Sequence, residues 1–151
     1  MSADMSELVK ASLLGKLDQL WAEVKQLTEP LTDAQLWTKP MPESNSIGHL
    51  LLHLTGNLNY YIGAQLGQTG YIRDREREFT ETNVPDRETL LANLDAAIAD
   101  ARRIVAPLSA AQLASPHPEE RFGTVLNALV HLVAHFALHR GQMSYLVRLV
   151  Q

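Results

Sequence analysis

The chain has 151 residues, a formal net charge of −4 and no cysteine, and 46% of its residues are hydrophobic. This length and composition predict one globular domain over residues 1–151, and the acidic balance argues against nucleic-acid binding through a broad basic surface. The lack of cysteine excludes disulfides and thiolate ligands. The sequence shows neither a membrane-length apolar run nor a signal peptide, which favours a cytoplasmic protein that does not bind membranes.

Four segments repeat apolar residues every three or four positions, which is the spacing of an amphipathic helix. They cover about residues 6–27, 46–66, 86–106 and 124–149. The fourth segment is apolar on much of its circumference, so we expect it to be the most buried of the four. The pattern predicts an all-α protein built as a four-helix bundle with long connections between the helices.

The connections between these helices are polar. The longest one contains the run YIRDREREF at residues 71–79. Such a run of charges is typical of a solvent-exposed loop, so we expect Asp74, Glu76 and Glu78 to be solvated rather than folded over a site. A later connection carries His117 between two prolines, and we interpret it as a loop residue without a ligand role.

A weak repeat relates the two halves of the chain. PLTDAQLWTKP at residues 30–40 resembles PLSAAQLASPH at residues 107–117, and each copy places a hydroxyl residue three positions before a glutamine, as a capping box requires. Each copy is followed by a polar stretch and then a histidine pair, HLLLH at residues 49–53 and HLVAH at residues 131–135. We infer a duplicated helix–turn–helix unit that packs as a pseudo-symmetric bundle.

The spacing of the histidines limits how they can share a metal ion. Residues four apart on an α-helix lie about 6 Å apart along the axis, so neighbours in the row His131, His135 and His139 can bind one ion. The outer two lie about 12 Å apart, which is too far to share it comfortably. One helix therefore supplies two ligands, and a third comes from His49 or His53 of the second helix.

We select His53, His135 and His139 as the metal ligands and keep His49 and His131 as reserves. The polar run RGQ directly follows His139, and His53 lies one turn deeper than His49, whose place near the helix start favours a solvated imidazole. The ordinary alternative is a set of core histidines with single hydrogen bonds. Five imidazoles on two apolar helices need many partners, however, and a shared metal supplies one to each ligand ring.

These residues also resemble a known family. A histidine four residues before HRGQ at residues 139–142, together with SIGHLLLHLTGNLNYYI at residues 46–62, resembles the DinB-like (DinB/YfiT-like) superfamily. The charged segment at residues 73–80 is similar to one that some members carry between helices two and three. The resemblance follows the order of elements along almost the whole chain, and it implies a four-helix bundle that is often a homodimer.

The resemblance also implies a divalent metal held by three histidines, one from helix two and two from helix four. Carried over to this chain, those positions match His53, His135 and His139. One departure is Phe136, because many members have an acidic residue directly after the first histidine of helix four. Any supporting role of that carboxylate is therefore in doubt here.

Three histidine ligands leave coordination positions free, as at a catalytic site, and a bound metal lowers the pKa of a water or a thiol. Some members of the resembled superfamily are thiol-dependent transferases or isomerases, and others look like hydrolases. The expected function is therefore a metal-dependent enzyme, such as a low-molecular-weight-thiol S-transferase or a hydrolase, that acts on a small-molecule substrate. Zinc, nickel, iron(II) or copper suits three imidazoles, and no catalytic residue is identified.

Two alternatives stay open. The protein can be a non-enzymatic stress-response or binding protein whose metal is structural, or a helical dimerisation domain that holds no metal. The sequence contains no phosphate loop, Rossmann fingerprint, nucleophile elbow or zinc-finger spacing that would favour another class.

Overall fold

The computed structural model describes residues 4–151 and contains eight α-helices in them. They are α1 (Met5–Thr28), α2 (Asp33–Trp37), α3 (Ile47–Leu58), α4 (Gln65–Gly67), α5 (Arg77–Thr80), α6 (Arg87–Val105), α7 (Ala110–Ala114) and α8 (Val125–Val150). A π-helical segment, Asn59–Ala64, continues α3 into α4, and a 3₁₀ turn, Glu120–Phe122, precedes α8. Between residues 4 and 151 there is no β-strand, so the predicted all-α fold is confirmed.

The long helices begin at side chains that accept a hydrogen bond from the first turn. This satisfies a backbone N–H group that the helix itself leaves free. Ser46 accepts from the backbone of His49 at the start of α3, and Thr124 accepts from Asn127 at the start of α8. Helices α1, α6 and α8 match three of the predicted segments to within one residue at each end. The remaining segment, residues 46–66, corresponds to α3 together with the π-helical segment and α4.

The helix α2 shows how the bundle is arranged. Gln35 donates to the carbonyl of Val150 at the end of α8, and the indole of Trp37 donates to the carbonyl of Pro85, just before α6. The ends of α1 and α8 therefore lie where α3 and α6 begin. Helices α1 and α8 run parallel to each other, and α3 and α6 run antiparallel to them.

Two cationic side chains relate the halves of the bundle. Lys10 of α1 donates to the carbonyl of Ala106 beyond the end of α6, and Arg87 of α6 donates to the carbonyl of Glu29 beyond the end of α1. The two donors, Lys10 and Arg87, are 77 residues apart in the sequence, and so are the two acceptors, Glu29 and Ala106. This is the offset between the two sequence repeats, and both repeats form the expected capping box. These reciprocal contacts support the inferred duplication.

The most buried long helix is α3, not α8 as the sequence pattern suggested. Ten of the 12 residues of α3 are buried, against eight of the 26 residues of α8. Helix α3 is covered by α6, by α8 and by residues 68–86, the connector between α4 and α6 that carries α5. In contrast, α8 leaves apolar side chains such as Leu138, Tyr145 and Leu149 exposed. Apolar periodicity shows that a helix has a buried face, but the number of packing partners decides how much of it is covered.

Among the helices of residues 4–151, none combines the length and the apolar character that crossing a lipid bilayer requires.

Candidate metal centre

Three histidine rings meet between α3 and α8. The Nε2 atom of His135 lies 3.1 Å from Nε2 of His53 and 3.0 Å from Nε2 of His139, and all three ligand atoms lie within 4.8 Å of one another. The antiparallel packing of α3 and α8 places His53 opposite the pair on α8. Imidazoles around a tetrahedral ion at about 2.0–2.1 Å have nitrogens about 3.3 Å apart, so the spacing is close to that of a metal centre.

Two of these rings are oriented by oxygen acceptors. Nδ1 of His53 donates to Oε2 of Glu78 over 2.8 Å, and Nδ1 of His139 donates to Oε1 of Gln142 over 2.7 Å. A carboxylate and an amide oxygen accept hydrogen bonds only, so each of these Nδ1 atoms carries a hydrogen. The Nε2 lone pairs of His53 and His139 therefore face into the centre, as metal ligands require.

The electrostatic environment favours the neutral form of two of the rings, His135 and His139. Burial, together with the neighbouring His139 and His53, lowers the pKa of His135 to about 3. Burial also lowers the pKa of His139, although the hydrogen bond to Gln142 opposes this change. Metal binding needs neutral imidazole, and these shifts favour that form at pH 7.

The residues fit a cation better than they fit hydrogen bonds among themselves. Within residues 4–151, Nδ1 of His135 is buried and has no hydrogen-bond partner. If the single hydrogen of this neutral ring sits on Nε2, it can serve only one of the two facing nitrogens, and if it sits on Nδ1 it has no acceptor. A divalent ion would satisfy all three inward lone pairs at once.

The connector contributes a buried ion pair to this centre. Arg73 donates from Nε to Oε1 of Glu78 over 2.7 Å and from Nη2 to Oε2 over 2.9 Å, and both side chains are at most 7% exposed. The expectation that Glu78 is solvated is therefore wrong, whereas Asp74 and Glu76 are exposed as expected. The charge pattern alone could not separate the inward residue from the outward ones, because the connector folds back against α3.

Glu78 remains a carboxylate in this position. Burial by itself raises the pKa of Glu78, but the hydrogen bonds from His53 and Arg73 outweigh burial and hold the pKa below its ordinary value. A negative charge therefore lies behind His53, on the side away from the other two rings.

The same carboxylate borders a cleft of about 770 Å³ between α3, α6 and the connector. The lining includes Gly56, Asn59 and Asn93 but none of the three converging histidines. Glu78 therefore lies between the cleft and His53.

The reserve histidines lie outside the cluster. His49 is buried, with Nδ1 2.6 Å from the hydroxyl of Ser46 and its ring edge-on to Trp37, so the expectation of a solvated imidazole is wrong. Its place in the first turn of α3 is covered by α2. His131 is exposed and stacks on His135 with ring centroids 6.0 Å apart.

The loop residue His117 is buried. Its Nε2 donates to the carbonyl of Tyr61 over 3.1 Å, and its Nδ1 accepts from the backbone of Glu119 over 3.0 Å. One ring nitrogen therefore holds the loop against the π-helical segment that continues α3, and the other stabilises the loop itself.

The two histidine pairs found in the sequence are not equivalent positions. Measured from the N-caps Ser46 and Thr124, His53 and His131 occupy the same place, seven residues into their helices. The position on α8 that corresponds to His53 is therefore His131, which is not in the cluster. The candidate ligands His135 and His139 lie one and two turns further along α8. The duplicated fold carries a site that does not follow its pseudo-symmetry.

Sequence reasoning missed the roles of Arg73, Glu78 and Gln142. The aromatic Phe79 within the charged run was the available signal, because an apolar residue there indicates a buried contact. Its ring lies 4.8 Å from that of His53. Phe136 is fully buried in the core, so the carboxylate near this cluster comes from the connector instead of from α8.

Comparisons with known proteins identify the family. The model of the DinB superfamily matches residues 16–143, so the chain belongs to that superfamily. This membership confirms the resemblance found in the sequence. A comparison with curated proteins finds none that matches.

Two solved structures are similar over nearly the whole chain. One is a conserved protein from Enterococcus faecalis, with 20% identity, a TM-score of 0.77 and coverage of 99% of this chain and 98% of that one. The other is YfiT from Bacillus subtilis, with 23% identity, a TM-score of 0.74 and coverage of 97% and 89%. YfiT is described as "a probable metal-dependent hydrolase with an unusual four-helix bundle topology". At these identities the likeness shows the fold, a four-helix bundle, and nothing further.

Proposed function

We propose that this DinB superfamily protein is a metal-dependent enzyme whose divalent ion is held by His53, His135 and His139. The observation that supports this most directly is the convergence of three Nε2 atoms, two of them on rings whose Nδ1 atoms are fixed by oxygen acceptors. Zinc, nickel and iron(II) are the metals that we expect.

The protein's own residues orient the site and leave it accessible on one side. Glu78 and Gln142 fix two rings, and the three imidazoles supply one ligand atom each. If a divalent ion bound to these three ligands, it would have coordination positions free and would supply a nucleophile at neutral pH by lowering the pKa of a bound water or a thiol. His135 is half-buried and its neighbour His131 is exposed, so a small substrate reaches the centre from this side.

The reaction that we propose is hydrolysis or S-transfer with a low-molecular-weight thiol. The family membership and the description of YfiT support a metal-dependent reaction. The chain has no cysteine, so a thiol would have to be a co-substrate. We further propose a small-molecule substrate, a cytoplasmic location and one domain over residues 1–151, of which residues 1–3 lie outside the described part.

The metal site is tested by elemental analysis of protein purified without a histidine tag. We expect about one divalent ion per chain, and loss of that ion on His53→Ala, His135→Ala or His139→Ala. His131→Ala is the matched control, because it removes an exposed imidazole one turn away on the same helix. Full metal content in the three triad variants would contradict the proposal, as would a metal-free protein that does not take up any of these ions.

The reaction class is tested with metal-stripped and reloaded protein. We supply an electrophile with several thiols in one arm and an activated ester without thiol in the other. Turnover that needs both metal and thiol identifies an S-transferase, and turnover that needs metal alone identifies a hydrolase. Turnover that does not depend on metal would be evidence against both.

The alternative is a binding or stress-response protein with a structural metal. It is favoured by the ligands coming from two helices, since an ion would then cross-link α3 to α8. In that case chelation lowers the melting temperature sharply while neither arm of the activity assay shows turnover.

A further inference from the structure

We infer that Glu78, held by Arg73, is a positioning residue that orients His53 for metal binding and thereby ties the docking of the connector to the metal centre. The inference rests on the proposed metal site and deepens it, since it assigns the part of the chain that presets one ligand.

The first argument is how the Glu78 carboxylate uses its oxygens. Arg73 occupies both of them in a two-pronged contact, and His53 donates to Oε2 as well. Arg73 alone would be enough to neutralise this buried carboxylate, because its guanidinium group contacts both oxygens. The additional bond to Nδ1 of His53 fixes the hydrogen on that nitrogen and turns the Nε2 lone pair toward the other two rings.

The second argument is a space in α3 that the carboxylate fills. Gly56 lies three residues after His53, on the same face of the helix. A Cβ atom at this position would overlap Oε1 of Glu78 and lie 2.8 Å from its carboxyl carbon. Because any larger residue would displace Glu78, the glycine makes the approach of the connector to His53 possible.

The third argument is what else the contact brings to the centre. Phe79 follows Glu78 directly and packs against the ring of His53. The helix that carries both residues, α5, has only four residues, so it depends on such contacts for its position. Three features therefore fix the orientation of His53: the ion pair, the space at Gly56 and the aromatic contact.

Two variants remove this contact without touching a ligand. Gly56→Ala displaces the carboxylate, and the double variant Arg73→Met with Glu78→Met removes the ion pair without leaving a lone buried charge. The matched control is Glu76→Met with Arg77→Met, the same two exchanges on neighbouring exposed residues of the connector.

The direct readout is the tautomer of His53 in metal-free protein, measured by long-range ¹⁵N–¹H correlation spectroscopy. We expect the hydrogen on Nδ1 in the wild type and in the control, and a mixture with the Nε2–H form in both test variants. His139, which Gln142 orients, serves as the internal reference and keeps its tautomer. A residue with a merely structural role would lower stability without moving the His53 signals.

The second readout is Zn²⁺ affinity, measured by competition with a chelator. We expect both test variants to bind Zn²⁺ about 10- to 100-fold more weakly than the wild type and the control. If either folded test variant keeps both the His53 tautomer and the Zn²⁺ affinity, the inference is overturned while the proposed metal site stands. If the wild type does not bind Zn²⁺, the proposed zinc site fails, and the tautomer still decides whether Glu78 orients His53.

Discussion

Each ring of the candidate metal centre has one nitrogen facing the other rings and one facing the protein. His53 and His139 satisfy the outer nitrogen with an oxygen acceptor, whereas the buried outer nitrogen of His135 has no partner within the described residues. The middle ring is therefore the least satisfied of the three. It is also the ring whose pKa falls to about 3.

The pKa of His135 predicts acid sensitivity of the metal-free protein. Its folded-state value lies below the ordinary 6.5, so the unfolded chain binds more protons between about pH 6.5 and pH 3. The contribution of His135 to the free energy of unfolding is present above pH 6.5 and is lost as the pH falls toward 3, at up to about 1.4 kcal/mol per pH unit.

This prediction is checked by urea denaturation of metal-free protein across that pH range. His135→Gln removes the titrating ring, so its unfolding free energy should fall less steeply with decreasing pH. Equal slopes for the variant and the wild type would show that His135 does not control the acid sensitivity.

At the scale of elements, the ends of α1 and α6 are held by each other's cations. Lys10 is 3% exposed, and its ammonium donates to the carbonyls of Ala106 and Leu108 over 2.7 Å each. These carbonyls have no helical partner because they follow the last turn of α6. The contact replaces a cap that the sequence between α6 and α7 does not supply.

Lys10→Met should lower the free energy of unfolding by about 1–3 kcal/mol, because it leaves two partly buried carbonyls without the donor that now satisfies them. Lys16→Met is the control on the same helix, where an exposed lysine should change stability by less than about 0.5 kcal/mol. Denaturant titration of both variants checks this, and equal stabilities would show that the buried ammonium does not cap α6.

At the scale of the whole molecule, α8 has one face toward the core and the metal centre and another toward solvent. The outer face carries exposed apolar side chains, among them Tyr145 at 70% and Leu149 at 59% exposure. A homodimer is implied by the family resemblance, and this apolar face supports it as a proposal.

A homodimer formed through this face should dissociate on Tyr145→Glu with Leu149→Glu. Size-exclusion chromatography with light scattering should give about twice the chain mass for the wild type and the chain mass for the variant. Ile72→Glu, which changes an exposed apolar residue of the connector, is the control and should leave the mass unchanged. A monomeric wild type would contradict the proposal.

The sequence by itself determined the four long helical segments and their outer boundaries, the family and the pairing of His135 with His139. These features depend on local periodicity, on capping residues such as Ser46 and on the fixed rise of a helix, all of which operate between residues close in sequence. The choice of His53 over His49 also followed from depth along one helix. The spacing on α8 and the choice of His53 together predicted that the three rings converge. Their metal-binding role stays a prediction.

Only the tertiary structure decided which polar residues of the connector lie inside. Arg73 and Glu78 look like Asp74 and Glu76 in the sequence, and they differ because the connector folds back on α3 where Gly56 leaves space. Burial of a charge depends on what packs around it in three dimensions, and that information is spread over segments far apart in the chain. For the same reason, periodicity alone could not show that α3 rather than α8 is the most enclosed helix.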